Sequence, residues 1–118
     1  MRVNDSTWTE GLPAAVTVTA ADGTILEMNA RSRESFASDG GGALVGKNLF
    51  DCHPEPARTK TRALYAAQQP NHYTIRKNGQ RKIIHQLPWF DGGVFAGFVE
   101  ISIPIPDDLP HFDRDQPR

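Results

Sequence analysis

The sequence predicts an α+β domain in which one five-stranded antiparallel sheet carries its helices on one face, in the order ββαααβββ. Two observations predict it. Three turn signals, Asp22-Gly23, Asn78-Gly79 and Asp91-Gly92-Gly93, each lie between residues that favour strands. Between the first and second of them, residues 29 to 70 lose strand alternation and carry helix signals instead.

Taken in order, Ala15-Val-Thr-Val-Thr-Ala20 and Thr24-Ile-Leu-Glu-Met28 flank Asp22-Gly23 and form an opening hairpin, since β-branched and apolar residues alternate there with polar ones. Asn29 is placed to cap a short helix running through Phe36. The stretch from Glu55 to Gln69 is rich in Ala, Arg and Gln, with Pro56 suited to a first helical turn. His72 to Lys77, Arg81 to Phe90 and Val94 to Ile103 then make a three-stranded meander about the second and third turns. A two-residue turn at Asn78-Gly79 sets Lys77 opposite Gln80, Arg76 opposite Arg81 and His72 opposite His85.

With 118 residues the chain has one modest core to bury, and it divides into a cap segment at 1–12, a folded domain at 13–103 and an acidic, proline-containing flexible tail at 104–118. Hydrophobic residues at 38% and charged residues at 23% are ordinary for a globular protein. No stretch reaches the roughly 18 to 20 apolar residues that span a bilayer, and the polar N-terminus is no signal peptide. The single cysteine, Cys52, can form no internal disulfide. Both features fit a cytoplasmic protein. A net charge of −1 gives no field to gather nucleic acid.

Three short segments carry a resemblance: Ala20-Ala-Asp-Gly-Thr-Ile-Leu-Glu-Met-Asn29 at the opening, Val45-Gly-Lys-Asn-Leu-Phe50 in the middle and Gly97-Phe-Val-Glu-Ile101 near the end. In this order, over roughly residues 13 to 103, the chain resembles a PAS domain. The resemblance implies a sensory module that binds haem, flavin, an organic acid or nothing, and that works by dimerising or by passing strain to a neighbour.

Each cofactor of the family demands residues of its own. Flavin light sensors place a cysteine directly after Gly-Lys-Asn, whereas here Gly46-Lys-Asn48 is followed by Leu49. Members of the photoactive yellow protein type hold their chromophore on a cysteine beyond that motif. Cys52 lies too close to it, and Met28 and Ser32 stand where the chromophore's tyrosine and glutamate belong. Cys52 is therefore expected to be a buried or half-buried structural thiol. Haem sensors draw a histidine from the long helix, and residues 55 to 69 contain none. No cofactor is assigned.

His53, in Asp51-Cys-His-Pro-Glu-Pro56, is expected to shape the loop between its prolines, with contact to a ligand or metal as its second role. His72 and His85, about 5 Å apart across the hairpin, can share a divalent ion or repel once both are protonated below about pH 6. Two ligands fall short of the four that zinc takes, so no metal is assigned. Arg58, Lys60, Arg62, Arg76, Lys77, Arg81 and Lys82 gather on the hairpin and the long helix, and their expected role is a solvated face.

Between helices and sheet, a small ligand meets apolar side chains from both layers, and the candidate walls are Met28, Phe36, Leu49, Tyr65, Ile84 and Val99. Trp8 is an apolar anchor for the segment before the first strand. No Ser-His-Asp order, phosphate loop or paired catalytic carboxylate is evident, so the expected function is sensing and not catalysis. Two readings follow: a ligand sensor signalling through a homodimer or a protein partner, and an interaction module whose core fills itself.

Overall fold

The computed structural model describes residues 7–115. Five strands, β1 (Ala15–Thr19), β2 (Ile25–Met28), β3 (Asn71–Lys77), β4 (Gln80–Asp91) and β5 (Val94–Pro104), form one antiparallel sheet in the spatial order β2-β1-β5-β4-β3. The strand order and the five-stranded sheet are those predicted, while a short helix before β1, packed on the other face, was not. The last strand thus lies at the centre, beside the first.

The turns follow from their residues. Asn78 (φ 52°) and Gly79 (φ 76°) both adopt the left-handed backbone that a two-residue hairpin turn requires, which asparagine and glycine tolerate best. The register that results is the one read from the sequence, with His72 opposite His85 and Arg76 opposite Arg81. A different constraint acts at Gly97, where a Cβ atom would lie 1.9 Å from the Thr19 carbonyl oxygen. Only glycine lets β5 run this close to the end of β1.

Two of the short helices are pinned by asparagines. Helix α1 (Thr7–Glu10) precedes the sheet, and α2 (Ala30–Ser35) starts where Asn29 Oδ1 accepts from the Ser32 amide at 3.0 Å. The same oxygen accepts from the Val16 amide at 2.9 Å, and Asn29 Nδ2 donates to the Thr9 and Ala14 carbonyls, each at 2.8 Å. One buried amide thus ties α2, β1 and α1 together. After two 3₁₀ turns comes α3 (Leu49–Cys52), capped by Asn48 Oδ1 on the Phe50 amide while Asn48 Nδ2 reaches the Asp22 carbonyl. Pro56 stands immediately ahead of α4 (Ala57–Ala67), one position before the first turn in which it was expected.

The core is correspondingly small, in two clusters: Ile25, Met28 and Leu44, and a ring cluster of Phe50, Tyr65 and Phe98. Tyr65 lies tilted at 40° against Phe98 with centroids 4.6 Å apart and meets Phe50 edge-on at 5.1 Å. The chain does not leave the sheet at Pro104, because Ile105 N donates to Arg81 O at 2.9 Å and Asp107 pairs with Arg76 at 2.8 Å. No helix among the described residues is long and apolar enough to cross a membrane.

Candidate functional site

Side chains alternate across a strand, so each strand of the sheet contributes one set to the helical face and the other to the outer face. On β1 the helical face receives Ala15, Thr17 and Thr19, and on β5 it receives Phe98, Glu100 and Ser102. The outer face receives Val16, Val18 and Val99, with Ile101 and Ile103 continuing the same alternation. On β1 and β5 the more apolar side therefore faces away from the helices, the reverse of what the pattern of an ordinary core predicts.

A cavity of about 820 Å³ lies between the helical layer and the sheet. Met28, Phe36, Leu49, Tyr65 and Ile84 all line it, bringing together five of the six residues chosen from the sequence. Val99 is the exception. It lies under α1 on the outer face, in a cleft shared with Trp8, Val16 and Val18. Its neighbour Phe98 takes the inward position, because the alternation of β5 runs one residue out of step with the choice of Val99.

The floor of the cavity carries a polar row that sequence reasoning missed. Register places Met28, Thr17, Glu100, Gln86 and Asn71 side by side across all five strands. Asn71 Nδ2 donates to Gln86 Oε1 at 2.8 Å, and Gln86 Nε2 donates to Glu100 Oε1 at 3.0 Å. Thr17 and Ser32 hydroxyls bond at 2.6 Å beside them. The signal was present in the alternation Phe98, Glu100, Ser102, which is too polar for a packed face and suits a wet or ligand-bearing one.

At the inner end, the Tyr65 hydroxyl and Thr19 Oγ1 share a hydrogen bond of 2.5 Å, and the Thr19 hydroxyl also meets the Phe98 backbone. Burial pushes ionisation of Tyr65 upward, the Thr19 bond opposes this, and the Glu100 charge adds to the upward push. Tyr73, on the open side, is likewise raised by burial first and then by Glu100. Both tyrosines line the cavity.

Cys52 and His53 also line this cavity. Cys52 is exposed at the end of the short α3, which corrects the expectation of a buried or half-buried thiol. His53 is half-buried, and its carbonyl accepts from Arg58 Nε at 3.0 Å, a loop-shaping contact made by its backbone. His72 and His85 are on the outer face, their Nδ1 atoms 2.8 Å apart. At that distance one ring nitrogen donates and the other accepts, the roles being set by the tautomers. Among the described residues no group of three or more histidine, cysteine or acidic side chains gathers in a way that can hold a metal ion.

The basic cluster is dispersed by the fold. Arg76 and Arg81 hold Asp107, and Arg62 lies over the Phe50 ring at 4.5 Å. Lys77 and Lys82 instead turn to the open end of the cavity.

A sequence model of the PAS fold family matches residues 9–105. The chain belongs to the PAS fold family. No curated protein is significantly similar to it. Among solved structures, a C-terminal domain from Streptococcus mutans is similar with TM-score 0.70 and 17% identity, over 88% of this chain and 85% of that one. The Aer2 receptor of Vibrio cholerae, described as a dual PAS-heme oxygen sensor, gives TM-score 0.59 and 16% identity over 83% of this chain and 99% of that one. The PAS domain of Bordetella pertussis BvgS gives 0.61 and 16% over 89% and 87%. At such identities the likeness is one of fold.

Proposed function

We propose that this chain is a sensory and signalling module that binds a small ligand between its helices and its sheet and passes the signal on through dimer or partner contacts. The observation that carries the reading is the two-sided sheet. Its inner face holds hydrogen-bonding groups around a cavity of about 820 Å³, a volume suited to a small organic molecule. The outer face offers a half-buried apolar strip of Ile83, Leu87, Ile101 and Ile103, over which no described helix lies. A second copy of the chain or a signalling protein is the partner this strip suits. The reading takes residues 13–103 as the module, in the cytoplasm, and assigns it no catalysis, nucleic acid or membrane.

The walls proposed for the ligand are Met28, Phe36, Leu49, Tyr65 and Ile84, with Phe98 in place of Val99 and His53 at the rim. A second reading, a ligand-free dimerisation module, draws on the same apolar strip. Native mass spectrometry of the purified protein, together with its absorption from 300 to 700 nm, separates the two. A retained small mass supports sensing, whereas a bare dimer mass that no added small molecule changes supports the interaction module.

A further inference from the structure

Glu100 sits at the middle of the central strand, half-buried, with its side chain on the floor of the cavity. A carboxylate can accept about four hydrogen bonds. Gln86 supplies one, and its amide is oriented for that task because Asn71 donates to its oxygen. The two ion pairs among the described residues, Arg33–Glu10 and Arg76–Asp107, leave Glu100 out. Its remaining acceptor positions are left facing the cavity with no cation from the described residues upon them.

The lysines that line the same cavity do not supply that cation. Lys82 is four residues along β4 from Gln86, about 13 Å at strand spacing, and Lys77 lies beyond it on β3. Lys47 is exposed. Around Glu100 the remaining surface is apolar or weakly polar, from Met28, Ile84 and the two tyrosines.

We infer that the ligand of this cavity is a small apolar or ring-bearing molecule carrying a cationic nitrogen, such as an amine or amidine, whose N–H groups are received by Glu100. This rests on the ligand-binding reading above. The body of the ligand packs against Ile84 and Tyr65, and an anionic ligand is rejected by the same carboxylate.

Benzamidine and benzoate share one frame with opposite charge, and each is titrated into ¹⁵N-labelled protein. Benzamidine is expected to shift the amides of Ile84, Glu100 and their cavity neighbours, with benzoate at least about tenfold weaker, as one charge-assisted hydrogen bond implies. Glu100→Gln, which keeps shape and the contact to Gln86, is expected to weaken benzamidine by a similar factor. Glu100→Asp retains the preference. Benzoate binding equally well in the cavity, or Glu100→Gln leaving benzamidine affinity intact, overturns the ligand class while the cavity reading stands. If neither probe shifts a cavity amide, both the ligand class and the cavity reading fall.

Discussion

The hydrogen bond between Thr19 and Tyr65 joins β1 to α4, and a double-mutant cycle measures what that joint is worth. Both residues are buried, with 3% and 7% of their surface exposed. Tyr65→Phe removes one hydroxyl but leaves Thr19 in reach of the Phe98 backbone, at 3.4 Å to its carbonyl, so a loss of about 1 kcal/mol is expected. Thr19→Val keeps the shape but strands a buried phenol, and about 2 kcal/mol is expected. Were the sites independent, the double variant would lose about 3 kcal/mol. Because the double variant leaves no stranded phenol, about 2 kcal/mol is predicted, a coupling near 1 kcal/mol. Urea unfolding of the four proteins reads these differences directly. Additivity within about 0.3 kcal/mol refutes the joint. A pH series adds an independent check. A tyrosine whose ionisation is raised on folding contributes stability that is full below its ordinary value of 10.0 and is lost as pH rises through the raised one. Tyr65→Phe should therefore flatten the alkaline limb.

Four further outcomes are expected. Gly97→Ala forces a methyl group onto the Thr19 carbonyl and should unfold the chain or lower its melting temperature by roughly 10 °C or more, read by circular dichroism. Asn29→Ala removes a cap and the side-chain donor to two carbonyls at once and should cost about 3 kcal/mol, while Asn29→Asp, which keeps the cap acceptor but sets a carboxylate oxygen against the Thr9 and Ala14 carbonyls, should cost at least as much in the same urea assay. The bond from Arg33 holds the Glu10 carboxyl below its ordinary 4.5, so the contribution of this pair is present above that value and lost as pH falls through the depressed one. Acid should thus loosen α1, seen as a change in Trp8 fluorescence in a Trp89→Phe background, and Glu10→Gln should abolish the pH dependence. Ile101→Arg, in the centre of the outer apolar strip, should leave a folded monomer by light scattering, and a dimer that survives it counts against that face.

How much of this was legible beforehand depended on how local the causes were. Turns are local: Asn78 and Gly79 carry their own backbone preference, and so the hairpin register and the meeting of His72 with His85 could be read from adjacent residues. Caps are nearly as local, which is why Asn29 announced α2. The face of a strand is not local. Alternation on β5 says that Val99, Ile101 and Ile103 share one side, but which side meets the helices is decided by residues far off in sequence, such as Tyr65 on α4 and Gly97 against Thr19. Choosing wall residues for their apolar side chains put Val99 in the cavity and left Glu100 out. That inversion has a physical meaning. A sheet that spent its apolar residues on an inner core would have no reason to line up Asn71, Gln86 and Glu100 beneath the helices. On the proposed reading, a sheet that receives a ligand with a cationic nitrogen on one side and a protein surface on the other has reason to do both.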